Sequence, residues 1–135
     1  MTKKYLLDTN VFIAALKGHP LVCQRLEILK PAQILLSSIV LGELVLGAEK
    51  SQQIQKNLAK LKKIESQFEL IQLDKATIYC YGEIRAKLEQ KGQPIGANDT
   101  WIAAQALSHH FIMVTDNVRE FSRIEHLHLE NWLRE

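Results

Sequence analysis

Lys4-Tyr5-Leu6-Leu7-Asp8-Thr9-Asn10 decides how the rest of the chain is read, because an apolar run stops there on Asx and hydroxyl residues. A short continuous apolar run marks a strand buried on both faces, and Asp, Thr and Asn favour the turn or helix cap that follows. The pattern predicts a strand over Lys4–Asp8 leading into a helix around Val11–Leu16. The same alternation continues outward. Further strands are expected at Gln33–Ser37, Phe68–Leu73, Phe111–Thr115 and near Leu127–Glu130. Between them lie segments of helical period: His19 to about Lys30 with Pro20 in its first turn, Ile39–Ala48, and Gln52–Ile64. In the last of these, Ile54, Leu58, Leu61 and Ile64 form the stripe of an amphipathic helix. Asp74 is placed to cap a helix running to Gln90, Lys91–Gly96 is a loop, and a helix follows from Asn98 to about His109. Strands alternating with helices predict an α/β fold: a doubly wound, mostly parallel five-stranded sheet with helices on both faces, as one domain over residues 1–135.

Composition narrows the class. The chain has 135 residues, 47% hydrophobic and 24% charged, which is enough to bury a core without disulfide or metal staples. Cys23 and Cys80 stand far apart and outside any Cys-x-x-Cys pattern, excluding a disulfide scaffold and suggesting a reducing compartment. No stretch approaches the roughly 20 apolar residues a membrane span needs, and Asp8 cuts the first apolar run too early for a signal peptide. A cytoplasmic location is expected. The net charge of +2 says little by itself about a nucleic-acid partner.

In an open α/β sheet, ligands bind beyond the carboxyl ends of the strands. Four carboxylates fall there: Asp8 after the first strand, Glu43 in the helix after the second, Asp99 opening a later helix, and Asp116 after the fourth strand. Asp8, Asp99 and Asp116 each also suit a cap or a turn. Glu43 is harder to explain that way, since Ile39–Ala48 is otherwise almost wholly apolar and a buried lone carboxylate needs a partner or a metal. Four acids at one sheet edge repel unless cations neutralise them, and an all-oxygen set suits Mg²⁺ or Mn²⁺ rather than zinc. His109-His110 and His126-x-His128 lack the spacing of a His-x-x-x-His pair. Such a metal cluster handles phosphodiesters, by activating water and offsetting charge during in-line attack.

Leu6-Leu-Asp-Thr-Asn-Val-Phe12, Leu41-Gly-Glu-Leu-Val-Leu-Gly-Ala48, Ala97-Asn-Asp-Thr-Trp-Ile-Ala-Ala104 and Val114-Thr-Asp-Asn-Val-Arg-Glu-Phe121 together resemble the motifs of PIN-domain nucleases. More narrowly the chain resembles the VapC toxins of type II toxin–antitoxin systems, from Lys4 to Trp132 with all four motifs in order. The resemblance implies an endoribonuclease dependent on Mg²⁺ or Mn²⁺, with Asp8, Glu43 and Asp99 as metal-holding acids and Asp116 as a fourth. It implies supporting roles for Thr9, Asn10 and Thr115. It further implies a homodimer, a VapB-like antitoxin that covers the acidic site, and tRNA, initiator tRNA among the candidates, as the RNA whose cleavage inhibits translation. A PIN nuclease that processes RNA or DNA without being a toxin is the nearest rival reading. A receiver-like phospho-acceptor fits the positions of Asp74 and the C-terminus poorly, and a silent binding module is disfavoured by the intact acidic set.

Lys56, Lys60 and Lys63, with Arg85 and Arg119, are candidate RNA contacts, although a lysine-rich face on an amphipathic helix is also an ordinary solvated surface. Leu44, Leu46, Ile54, Leu58 and Leu61 offer more apolar helix surface than the core obviously needs, and are candidates for a partner contact.

Overall fold

β1 (Tyr5–Leu7) is the middle strand of a five-stranded sheet in the computed structural model, which describes residues 2–134. The chain continues through α1 (Thr9–Leu16), α2 (Pro20–Ile28), β2 (Ile34–Ser37), α3 (Ser38–Glu49), α4 (Ile54–Gln67), β3 (Glu69–Ile71), α5 (Lys75–Gln90), α6 (Ala97–Ser108), β4 (Ile112–Val114), α7 (Val118–Phe121) and β5 (Leu129–Glu130). The strand order is β3-β2-β1-β4-β5, and every pairing is parallel. Right-handed crossovers then put α1 to α4 on one face and α5 to α7 on the other, because the order runs one way from β1 to β3 and the other way to β5. That reversal makes the carboxyl edge between β1 and β4 the topological switch point.

Both faces of the central strands are covered. Tyr5, Leu6, Leu7, Ile34, Leu35 and Leu36 are all buried, with Val11, Phe12, Val40, Ile102 and Ala103 packed around them. Trp132 closes one side, fully buried against the Tyr5 ring at 5.4 Å, with its Nε1 donating to Glu130 at 2.9 Å. The helices lie close to where the sequence periods put them, and the Asp74 side chain accepts from the Thr77 N–H as a cap.

The differences are instructive. The strands are shorter than expected, two to four residues each. β3 is an edge strand, and its Glu69 and Leu70 are exposed instead of doubly buried. α1 starts at Thr9, earlier than expected, because Asp8 itself is the cap residue. A short 3-10 turn at Pro31–Gln33 precedes β2. Among the described residues no helix is long and apolar enough to cross a membrane.

One buried polar pair fixes the two faces relative to each other. The Ser37 hydroxyl, at the end of β2, donates to Gln105 Oε1 on α6, and both side chains are fully buried. Gln105 Nε2 is 3.4 Å from the carbonyls of Ile71, the last residue of β3, and of Gln72 just beyond it. α3 and α6, which carry Glu43 and Asp99, are thereby braced against one sheet edge.

Candidate active site

Asp8 stands where β1 turns into α1, and backbone geometry explains its orientation. Its Oδ1 accepts from the Thr9 N–H at 2.8 Å, and its Oδ2 accepts from the Thr115 hydroxyl at 2.8 Å. The side chain is buried, so desolvation pushes its carboxyl above the ordinary value. The bonds from Thr115 and Thr9 oppose that rise, and the charge of Glu43 adds to it.

Glu43 reaches the same edge from the second turn of α3. Thr9 Oγ1 donates to Glu43 Oε1 at 2.6 Å, so the residue after Asp8 orients the second acid. Glu43 is half-buried, not enclosed as its apolar neighbours suggested, because α3 buries only Val40, Leu44 and Ala48. Its other side opens on a groove, and Leu46 is 58% exposed.

Asp99 lies in the first turn of α6, whose cap position is Gly96. The carboxylate therefore does no capping. Its pKa is pushed up to about 6, first by burial and then by the charges of Asp8, Glu43 and Glu120. Four like charges from four segments of the chain thus meet at the switch point.

The structure places Asp116 elsewhere. Its Oδ1 accepts from Asn131 Nδ2 at 2.9 Å and lies 3.4 Å from Arg134 Nε. Those two partners hold its carboxyl below the usual range, with no contribution from the other acids. The cause is the pleat: successive side chains leaving β4 point to opposite sides. Thr115 turns in toward Asp8, so Asp116 turns out toward the C-terminal segment. The fourth acid facing the cluster is Glu120, which sequence reasoning missed because Asn117-x-x-Glu120 has the spacing of a helix-capping pattern. Asn10 is exposed on α1 and makes no hydrogen bond to the acids among the described residues. Asp116→Ala is expected to leave RNA cleavage within about twofold of the unmodified protein while lowering its melting temperature; a loss of activity as deep as that from removing Glu120 would return Asp116 to the site.

The lysines of α4 are exposed, and Lys56, Lys60 and Lys63 follow one helix face. Lys60 lines a groove of about 490 Å³ that also contains Glu43, Lys17, Ile13, Leu16 and Leu61. Arg85 is engaged within α5, pairing with Glu89 at 3.1 Å and donating to the Tyr81 hydroxyl. Arg119 is exposed on α7.

The acidic group fits a hard divalent cation by its donor chemistry. All its donors are oxygens, and among the described residues no ion pair brings a Lys or Arg to Asp8, Glu43, Asp99 or Glu120. Among those residues, however, no group of three or more Asp, Glu, His or Cys side chains is placed so that it could hold one metal ion as it stands.

Comparison with known proteins agrees with this geometry. The PIN domain model matches residues 5–127. The chain is 44% identical to Ribonuclease VapC2 of Rickettsia felis, over 95% of this chain and 97% of that protein. It is 39% identical to the tRNA(fMet)-specific endonuclease VapC of Shigella flexneri, over 96% and 98%. Among solved structures, DNA-bound VapBC from Salmonella typhimurium superposes with a TM-score of 0.91 at 38% identity, covering 97% of this chain and 99% of that one. The PIN model over residues 5–127, together with relatives 39–44% identical over at least 95% of the chain, shows that the chain belongs to the PIN-domain family.

Proposed function

We propose that the protein is a VapC-type endoribonuclease that requires Mg²⁺ or Mn²⁺ and cleaves tRNA as the toxin of a type II toxin–antitoxin pair. One observation carries the reading: Asp8, Glu43, Asp99 and Glu120 converge from four segments on the switch point, a concentration of charge that calls for a cation and that, with burial, pushes the Asp99 carboxyl up to about 6. Asp8, Glu43, Asp99 and Glu120 are the residues that would hold it. When bound, such an ion supplies Lewis acidity, which acidifies the attacking water and offsets charge developing on the phosphate.

The chain's own groups set up the rest. Thr115 and Thr9 each occupy one lone pair of an Asp8 or Glu43 oxygen and fix the carboxylate planes. Asp8, at 6% exposure, is shielded from competing water, while the half-buried Glu43 and Asp99 leave the cluster open on the side a phosphodiester must approach. The Shigella relative's named specificity for tRNA(fMet) supports initiator tRNA as the first substrate to try.

Lys60 and Lys63 would contact phosphates flanking the scissile bond. The double charge reversal Lys60→Glu/Lys63→Glu is expected to weaken RNA binding and to flatten its log–log salt dependence by about 1.4, the slope for two lost single-strand phosphate contacts. An unchanged slope in a filter-binding titration would make both lysines plain surface residues.

The apolar groove floored by Ile13, Leu16, Leu44 and Leu61 suits a helix or extended segment of an antitoxin. Solved neighbours include VapBC complexes, among them VapBC2 from Rickettsia felis at a TM-score of 0.87. An occupant of this groove ends beside Glu43 and so blocks the acids.

The deciding experiment is incubation of antitoxin-free protein with total tRNA in Mn²⁺, Mg²⁺ or EDTA. Discrete cuts that vanish with chelator and leave 5′-phosphate and 3′-hydroxyl ends are expected. Chelator-resistant cleavage, or 2′,3′-cyclic ends from attack by the ribose, would overturn the proposal.

A further inference from the structure

The turn after β4 resolves its hydrogen bonds in an unusual way. Asn117 and Glu120 have the spacing of a capping box, in which the cap side chain accepts from the third helical N–H and the glutamate accepts from the cap's own N–H. Neither bond forms. Asn117 makes no side-chain cap bond at the start of α7. Its backbone N–H donates instead to Thr115 Oγ1 at 3.0 Å, and its side-chain Nδ2 donates to Glu120 Oε2 at 3.2 Å.

Each diversion has a consequence. Because Thr115 Oγ1 accepts from Asn117, its single proton is free to point at Asp8 Oδ2, 2.8 Å away, and Thr115 is fully buried so this arrangement has no water to compete with it. Because Thr115 takes the cap N–H, Glu120 is released from capping and its charge reaches Asp99. The amide orientation follows from chemistry, since the reverse orientation would set the Asn117 oxygen against a carboxylate oxygen. A continuous chain of hydrogen bonds therefore joins Asp8 to Glu120 through Thr115 and Asn117.

We propose that Asn117 is a positioning residue for the acidic site: its amide holds Glu120 toward Asp99, and its backbone N–H orients the Thr115 hydroxyl on Asp8. This rests on the metal-dependent reading above. Asn117 touches neither ion nor RNA in this role and acts through Glu120. An Asp or Ser at this position would satisfy the turn equally well, but Asp lacks a donor for Glu120 and Ser lacks the reach.

The test is Mn²⁺ binding to the full-length protein without RNA, read from the electron paramagnetic resonance signal of free Mn²⁺, alongside cleavage kinetics. Asn117→Ala and Asn117→Ser are expected to raise the Mn²⁺ Kd about tenfold, the lower range for loss of a residue that orients a ligand. The half-saturating Mn²⁺ for cleavage shifts in parallel while the KM for tRNA stays put. In a Glu120→Ala background, Asn117→Ala adds no further loss, because its target is gone. Asn117→Ser keeps a cap-competent side chain and guards against a folding artefact in the Ala variant. An unchanged Mn²⁺ Kd in both variants, or losses that add in the double variant, would overturn the proposal while leaving the nuclease reading intact. A wild-type protein that binds no Mn²⁺ and cuts RNA in EDTA would bring down the nuclease reading and this proposal together.

Discussion

Replacing Asp8 is expected to lower the rate of RNA cleavage by about 10³-fold, close to 4 kcal/mol of transition-state stabilisation, the scale of losing one charge-placing group. Asp8 is the acid with the most neighbours in the network: two hydrogen bonds fix its oxygens, and its charge bears on Asp99. It also caps α1, so Asp8→Ala mixes loss of the site with loss of a cap of roughly 1 kcal/mol. Asp8→Asn separates them, because the amide oxygen still accepts from the Thr9 N–H while the charge is gone. Both variants are expected to be inactive, and only Asp8→Ala to melt measurably earlier. Thr115→Val keeps the shape and removes the donor to Asp8, with an expected loss of about 10- to 100-fold. Single-turnover cleavage of tRNA is the measurement. Retention of a tenth or more of the rate by Asp8→Asn would remove Asp8 from the chemistry.

The contrast between Asp116 and Glu120 shows where sequence reading stops. Asp8, Glu43 and Asp99 could be placed because each follows a recognisable strand or opens a recognisable helix, and strand ends in α/β sheets share one edge. The helices themselves were legible from their periods, and the Asp74 cap from its position. Beyond β4 the decision depends on a single pleat step. Thr115 faces in, so Asp116 faces out to Asn131 and Arg134. No periodicity reveals that step, since the strand is three residues long. Glu120 was hidden for a related reason: a glutamate three residues after an asparagine reads as local capping, and only the three-dimensional competition from Thr115 for the Asn117 N–H shows otherwise. Arg85 illustrates the same limit for cations, because a helix-surface arginine gives no sign in the sequence that Glu89 and Tyr81 already engage it.

Asp99→Asn is expected to make the cation-free protein more stable while making it inactive. With the carboxyl raised to about 6, the folded protein binds that proton more tightly than the unfolded chain does. The stabilisation from this proton is complete below the unfolded value near 4 and is lost as pH rises through about 6. Above that pH the native state carries an Asp99 charge crowded by Asp8, Glu43 and Glu120. The shift corresponds to about 3 kcal/mol if taken whole, and to about 1.5 kcal/mol once screening in the half-open site is allowed for. Asparagine is neutral throughout and escapes first the cost of burying a charge and then the repulsion, so at about pH 7.5 in EDTA the variant is expected to melt about 5 °C above wild type. The difference shrinks toward pH 4, where wild-type Asp99 is protonated as well. Mn²⁺ is expected to act in the opposite sense: binding to the native state would raise the wild-type melting temperature and have less to bind in the variant. On the proposed reading, the acidic cluster trades stability for its cation, with stability and activity drawing on the same charges. Equal melting temperatures for the two proteins at about pH 7.5 in EDTA would show that neither burial nor the neighbouring carboxylates burden the Asp99 charge, and would remove the physical ground for a cation there.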